Sequence, residues 1–260
     1  MSPRFENQLR ARRVVGLSIE DALAALLANN PDQPRDEPEV AASIGAQLEH
    51  MELDSMPTSL RRRIRDIISR VQPARVCEIG SGIGHLGAWL LDYWSSTETP
   101  EHFDLIEAGG KFGVILTRLV RRYDAEAWAH VRVGDFESLC AELDTWRAAN
   151  TTTDDIASTS PPPICAPYQI IIVDVGDIGR VAAIRRAFDL LVPGGLILTA
   201  EPEVPVDDVG DIPESGALNP EQARVVAFNE WAQFISEIGE THPVGFVPLF
   251  GGTLVGIIQS

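Results

Sequence analysis

Gly80, Gly82 and Gly84 follow directly on Glu78-Ile79, at the end of an apolar run that begins at Arg75. Glycine at alternate positions lets a backbone turn tightly and come within van der Waals distance of a ligand, in space that any Cβ would fill. A second acid, Glu107, closes the apolar run 102–107, about one helix and one strand further along. A carboxylate at such a point can accept both hydroxyls of a ribose. Together the glycines and Glu107 read as a nucleoside-binding corner with Glu107 as the sugar clamp. Gly134-Asp135 ends a third run, where Asp135 either approaches the amino group of an adenine or caps the helix that follows. Asp174 ends a fourth run, Asp177 lies in the turn after it, and Glu201 follows a fifth. His85 comes just after the glycines, where it contacts a ligand or packs.

These residues need a frame that brings the ends of several strands to one edge. A strand that stops at a glycine-rich turn and restarts as a helix is the ligand-binding corner of an open α/β sheet. The rest of the chain fits that frame. A helix capped by Ser18 has Glu20 and Asp21 in its first turn. The Pro/Asp/Glu-rich piece 30–39 reads as a linker, and a second helix spans 40–51. Thr58 caps a third helix, whose Leu60, Ile64, Ile67, Ile68 and Val71 share one face. Its Arg61, Arg62, Arg63, Arg65 and Arg70 read as a solvated face or as pairing between subunits. Helices at 112–122, 136–149, 181–191 and 220–238 alternate with strands at 129–135, 168–174 and 196–200, and Asn219 caps the last helix. Residues 191–195 are a turn, and 242–250 with 254–259 close as an antiparallel hairpin. The run 168–174 is apolar throughout, as a strand covered on both faces requires. Residues 150–167, rich in Thr, Ser, Asp and Pro, cannot build a core and read as a surface insertion.

The 260 residues carry 38 acids against 21 bases, a net charge of −17. That balance argues against nucleic acid or an anionic membrane as partner. Lys111 is the only lysine; acid excess with so little lysine suits a salt-rich cytoplasm, and a GC-rich genome would favour arginine equally. Cys77, Cys140 and Cys165 are scattered, with no metal or disulfide spacing. No apolar stretch reaches membrane-spanning length and residues 1–13 lack a signal-peptide core, so a cytoplasmic protein is expected.

Five strand–helix units ending in a hairpin resemble the fold of class I S-adenosylmethionine-dependent methyltransferases. Glu78 to His85, EIGSGIGH, resembles that family's first cofactor motif, Glu107 its ribose clamp, Val173-Asp174 its fourth-strand acid, and Val192-Pro-Gly-Gly195 the turn before its fifth strand. Phe228-Asn229 and Pro248-Leu-Phe-Gly-Gly-Thr-Leu254 are similar to the C-terminal signature of the catechol and caffeoyl-CoA type O-methyltransferases. The resemblance implies an α/β fold with a Rossmann-like, mostly parallel seven-stranded sheet, a C-terminal antiparallel hairpin and helices on both faces. It implies a helical extension over 1–52 and a methyltransferase domain over 53–260, interrupted by the insertion. It implies S-adenosylmethionine (SAM) bound at Glu78, Gly80, Ser81, Gly82, Gly84, His85, Glu107, Ala108, Gly134, Asp135 and Asp174, and a small-molecule acceptor, methylated on a hydroxyl.

The same family brings magnesium or another divalent cation. Asp174 matches its first metal acid, Ala200-Glu201 fall where an Asp-Asn pair is usual, and Asp177 falls on the catalytic lysine. Asp174, Asp177 and Glu201 either form an altered ligand set, with Asp174 and Asp177 catalytic, or are acids with no metal. Without one, a carboxylate such as Asp177 or an imidazole must act as base. Methylation of nitrogen or carbon, and a non-catalytic binding homologue, are the alternatives. The N-terminal helices form a flap or homodimer surface, or a packing layer.

Overall fold

A computed structural model describes residues 16–151, 161–206, 209 and 217–260. Residues 1–15 and the middle of the insertion lie outside the described residues. The chain begins with three helices, α1 (Ile19–Leu27), α2 (Glu39–His50) and α3 (Thr58–Val71). Strands and helices then alternate: β1 (Arg75–Ile79), α4 (His85–Ser95), β2 (His102–Glu107), α5 (Gly110–Arg122), β3 (Ala129–Val133), α6 (Phe136–Thr151), β4 (Tyr168–Val173), α7 (Arg180–Phe188), β5 (Leu191–Ala200) and α8 (Pro220–Ile238). The hairpin β6 (Val244–Leu249) and β7 (Gly252–Ile258) ends the chain.

The seven strands lie in the order β3-β2-β1-β4-β5-β7-β6. The first five are parallel, and β7 runs antiparallel to both β5 and β6. This is the Rossmann-like sheet expected from the sequence. Strand order reverses between β1 and β4, and in such sheets the ligand crevice opens at the carboxyl ends of the strands flanking that point.

Alternation along each strand divides the core in two. Val76, Phe103, Leu105, Ile170, Ile172, Leu196 and Leu198 face α1 to α5. Cys77, Ile79, Ile106, Ile171, Val173 and Ile197 face α6, α7 and α8. Both faces are thereby covered, which is why β4 can be apolar at nearly every position. Ser18 and Asn219 cap α1 and α8 as expected, Ser18 accepting from the Asp21 amide and Asn219 from the Gln222 amide. Among the described residues, no helix is long and apolar enough to cross a membrane.

Four local expectations are corrected. Thr58 is the first residue of α3 rather than its cap; its hydroxyl accepts from Arg61 instead. The turn 191–195 is absorbed into β5: Tyr168 pairs with Leu191 and Ile170 with Leu196, so the Pro-Gly-Gly bulges out within the strand. Gly194, at φ +74°, is pinned there by bonds to Leu17 and Gln259.

The arginines of α3 are not a solvated face. Arg61, Arg63 and Arg65 are buried, and only Arg70 is exposed. Arg63 donates to the Leu26 and Leu27 carbonyls at 2.9 and 3.1 Å and to Asn29 Oδ1 at 2.6 Å, closing the end of α1. Carbonyls at a helix C-terminus lack intrahelical donors, and a guanidinium satisfies them. Arg65 pairs with Asp66 and lies over the Trp89 ring.

The insertion is also less separate than its composition suggests. Ile164 is fully buried with the α6–α8 core, and the Cys165 amide donates to the buried Asp104, which also takes bonds from Arg132 and Tyr168.

Candidate functional site

The glycine turn is built against its neighbours. The Gly80 and Ser81 amides both donate to the Ile106 carbonyl at 3.0 Å, and the Asp174 amide donates to the Ile79 carbonyl at 2.8 Å. These bonds lock the ends of β1, β2 and β4 side by side. Gly80 sits at φ +86°, and a Cβ there would lie 2.4 Å from the Asp174 carbonyl oxygen. At Gly84 it would strike Leu119. Those two glycines are therefore required by the protein's own packing. Gly82 differs: at φ +54° its Cβ would meet nothing within 4 Å. The open side of the turn is at Gly82, and that is where a ligand can approach the backbone.

Acids surround this opening. Glu107 is buried; its Oε2 accepts from the Gly82 amide at 2.8 Å and its Oε1 from the Gly109 amide at 2.7 Å. The carboxylate expected to clamp a ribose is thus fixed beside the open glycine by backbone donors. Ala108, next to it, is exposed, and the Gly134 amide donates to the Glu107 carbonyl at 3.0 Å. Glu78 is fully buried, and neither of its carboxylate oxygens has a partner among the described residues. Burial, then the charges of Asp174 and Glu107, hold its proton far above the usual carboxylate range. A buried acid left without donors is costly unless something supplies them. Asp135 caps α6, accepting from the amide and hydroxyl of Ser138, with its side chain at the surface.

Nothing in the sequence marks Glu37, yet it reaches into this region from the linker. Its Oε1 accepts from Arg61 at 3.0 Å and Trp89 Nε1 at 3.2 Å, and lies 3.1 Å from His85 Nε2. Burial works against the Glu37 charge, but the bonds from His85 and Trp89 and the charge of Arg61 hold its pKa below the ordinary value. His85 is buried, with its pKa pushed down by burial and by Arg61 against the pull of Glu37. Its Nδ1 has no partner among the described residues. A linker is recognised by composition, and composition cannot say that one of its acids folds back onto a helix 48 positions away.

The expected metal set does not assemble. Among the described residues, no three His, Cys, Asp or Glu side chains are placed to hold a metal ion. A cation of the protein's own stands there instead. Arg180 is buried at the start of α7; its Nη1 donates to the Ala200 carbonyl at 2.9 Å and its Nη2 to the Val175 carbonyl at 3.0 Å. The same Nη2 pairs with Asp177 at 3.0 Å. Asp174 feels both Arg180 and Arg61, yet burial outweighs them and pushes its pKa up to about 6. Glu201 follows β5, its amide bonded to the Thr253 carbonyl at 2.9 Å. A dication seeks free oxygen ligands in a regular shell, and here a guanidinium already occupies Asp177 and the Ala200 carbonyl. The residues present do not fit a divalent ion.

No protein-family profile matches the chain, and no curated protein does. Solved structures do. The O-methyltransferase TomG from Streptomyces achromogenes, involved in tomaymycin synthesis and bound to SAM, superposes with a TM-score of 0.61 at 14% identity, over 86% of this chain and 92% of its own. The O-methyltransferase from Bacillus cereus, bound to SAH, gives 0.58 at 16% identity, over 88% and 94%. The SAH-bound methyltransferase PaMTH1 from Podospora anserina gives 0.55 at 15%, over 86% and 88%. The fold is that of the class I SAM-dependent methyltransferases.

Proposed function

We propose that this chain binds SAM at the carboxyl edge of β1, β2 and β4 and transfers its methyl group to the hydroxyl of a small molecule. The observation that carries this reading is Glu78, fully buried with both carboxylate oxygens unpartnered among the described residues, beside an open Gly82 and a fixed Glu107. SAM supplies a sulfonium-activated methyl group. Glu107 would accept from the ribose hydroxyls, and the open backbone at Gly82 admits the ligand. The acids at this opening, Glu107 and Asp174, suit a ligand that carries cationic groups.

Methyl transfer asks the protein to hold the acceptor oxygen in line and to take its proton. Asp177 is tied to Arg180, which disfavours it as a base. His85, oriented by Glu37 and with Nδ1 unpartnered among the described residues, keeps the features of a proton acceptor. The O-methyltransferases of this fold named above, one bound to SAM and one to SAH, support an oxygen acceptor.

Calorimetry with SAM and SAH tests the pocket. Gly82→Arg is expected to abolish binding, because its side chain fills the open side of the turn. The strain of a left-handed residue costs only about 1–2 kcal/mol, so the variant folds. Wild-type affinity in the folded variant would overturn the assignment.

A further inference from the structure

We propose that the amino-terminal end of the sheet carries a second binding site, for a small molecule bearing a phosphate group. A cavity of about 450 Å³ opens there, and four of the side chains that line it are basic: Arg75, His102, His130 and Arg132. Arg75 and His102 are the first residues of β1 and β2 and pair in register. Glu107, beside the open glycine, lies at the other end of β2, about 16 Å along the strand. The two sites are separate, and this one does not depend on a cofactor being bound at the other.

Strand register explains why these side chains meet. Side chains alternate across a sheet, so Arg75 falls on the face of Cys77 and Ile79, which packs against α6, α7 and α8. By the same alternation His102 falls on the face of Ile106. His130 pairs with Asp104 and Arg132 with Ile106, which brings both onto that face. An otherwise apolar face thus ends in four bases, bordered by Pro161 and Pro162 from the end of the insertion. Half-buried bases cost free energy unless they are paired, and here the pairing is incomplete. Arg132 donates from Nε to Asp104 Oδ1 at 2.8 Å, while Tyr168 and the Cys165 amide take the other oxygen. Arg75 Nε and His102 Nδ1 are buried with no partner among the described residues. The His102 and His130 rings lie 5.7 Å apart.

An oxyanion supplies what these donors lack. A guanidinium presents N–H groups in a fork that matches phosphate, and an imidazole donates one N–H even when neutral. Donors arriving from three strands suit a tetrahedral phosphate, which offers oxygens in several directions, better than a carboxylate with two oxygens in one plane. The cavity falls within the range of small-molecule sites, about 300–1,000 Å³. It leaves room for an organic body against the two prolines and the imidazole rings. The net charge of −17 disfavours a nucleic acid as the source of the phosphate. That charge also means that an anion is held here by local donors and not by general attraction.

Phenyl phosphate and phthalate, both aromatic dianions, are titrated calorimetrically into the full chain at constant ionic strength. The expected result is saturable one-to-one binding of phenyl phosphate, weakened about 10- to 100-fold in Arg75→Gln by loss of a charge-assisted bond. Arg118→Gln, which removes an exposed charge from α5, should leave the affinity unchanged. His102→Ala should weaken binding in the same direction, and it carries the test where Arg75→Gln does not fold. No saturable binding at millimolar concentration, wild-type affinity in both cavity variants, or an equal loss in Arg118→Gln would each overturn the proposal. Phthalate bound as tightly as phenyl phosphate would overturn the choice of phosphate. SAH is the last arm: its affinity should be the same with and without phenyl phosphate. Competition between the two would put the phosphate at the cofactor edge and overturn the second site. A chain that binds phenyl phosphate and no SAH would sink the cofactor reading and leave this one standing.

Discussion

Glu78 concentrates the tension of the site in one side chain. Its carboxyl is fully buried without a partner among the described residues, and burial with the charges of Asp174 and Glu107 raises its pKa well above 4.5. A folded-state pKa above the unfolded one means that the group's contribution is intact below the unfolded value and lost as pH rises through the folded one. Glu78→Gln removes that loss. The variant should therefore be more stable than wild type at about pH 8, by about 1–3 kcal/mol, while binding SAM more weakly. Melting curves across pH check it: a variant that tracks wild type at every pH would show that Glu78 is already satisfied. The acids at strand ends were legible in the sequence because their type and position are local properties. That a glycine turn follows β1 was legible too, but which of its glycines is open, Gly82, and which avoid a clash with residues far along the chain, Gly80 and Gly84, was not.

Elements were recovered more fully than their surroundings. Continuous apolar runs and caps identify strands and helices from neighbours in sequence, and the bounds moved by only a few residues. Burial of polar segments is another matter. The α3 arginines read as surface because charge usually is, and α1 turned that face inward by offering its C-terminal carbonyls. The end of the insertion shows the same limit. Ile164, isolated among prolines, enters the α6–α8 core with no periodicity to announce it. Ile164→Ala should cost about 2–5 kcal/mol, measured by denaturant unfolding at constant slope. A loss below about 0.5 kcal/mol would return the whole segment to the surface.

For the molecule as a whole, the net charge of −17 sets a background that individual pairs only partly offset. Arg186 contacts Asp144 and Asp189, and Arg185 contacts Glu237; pairs of this exposed kind contribute little each. Repulsion among the remaining acids is long-range and is screened by salt, with a Debye length of about 10 Å at 0.1 M. Raising sodium chloride from about 0.02 M to about 0.5 M should therefore raise the melting temperature by a few degrees. A fall would show that the surface pairs outweigh the excess charge.

The sequence by itself determined the strands, the glycine turn and the acids at the strand ends. All three follow from short-range patterning: hydrophobic runs of strand length, glycines where the backbone turns, and carboxylates where strands end. Tertiary structure alone decided what neutralises those acids. Glu37, Arg61, His85 and Trp89 meet from three separate segments, the linker, α3 and α4, and Arg180 closes on the ends of two strands it does not belong to. Long side chains reach across elements, and which carboxylate or carbonyl they find depends on how α3, α4 and α7 dock. The positions of Asp174, Asp177 and Glu201, read as an altered ligand set or as acids with no metal, were legible in the chain. That the Arg180 guanidinium pairs with Asp177 there is a property of packing and leaves no local mark in the sequence.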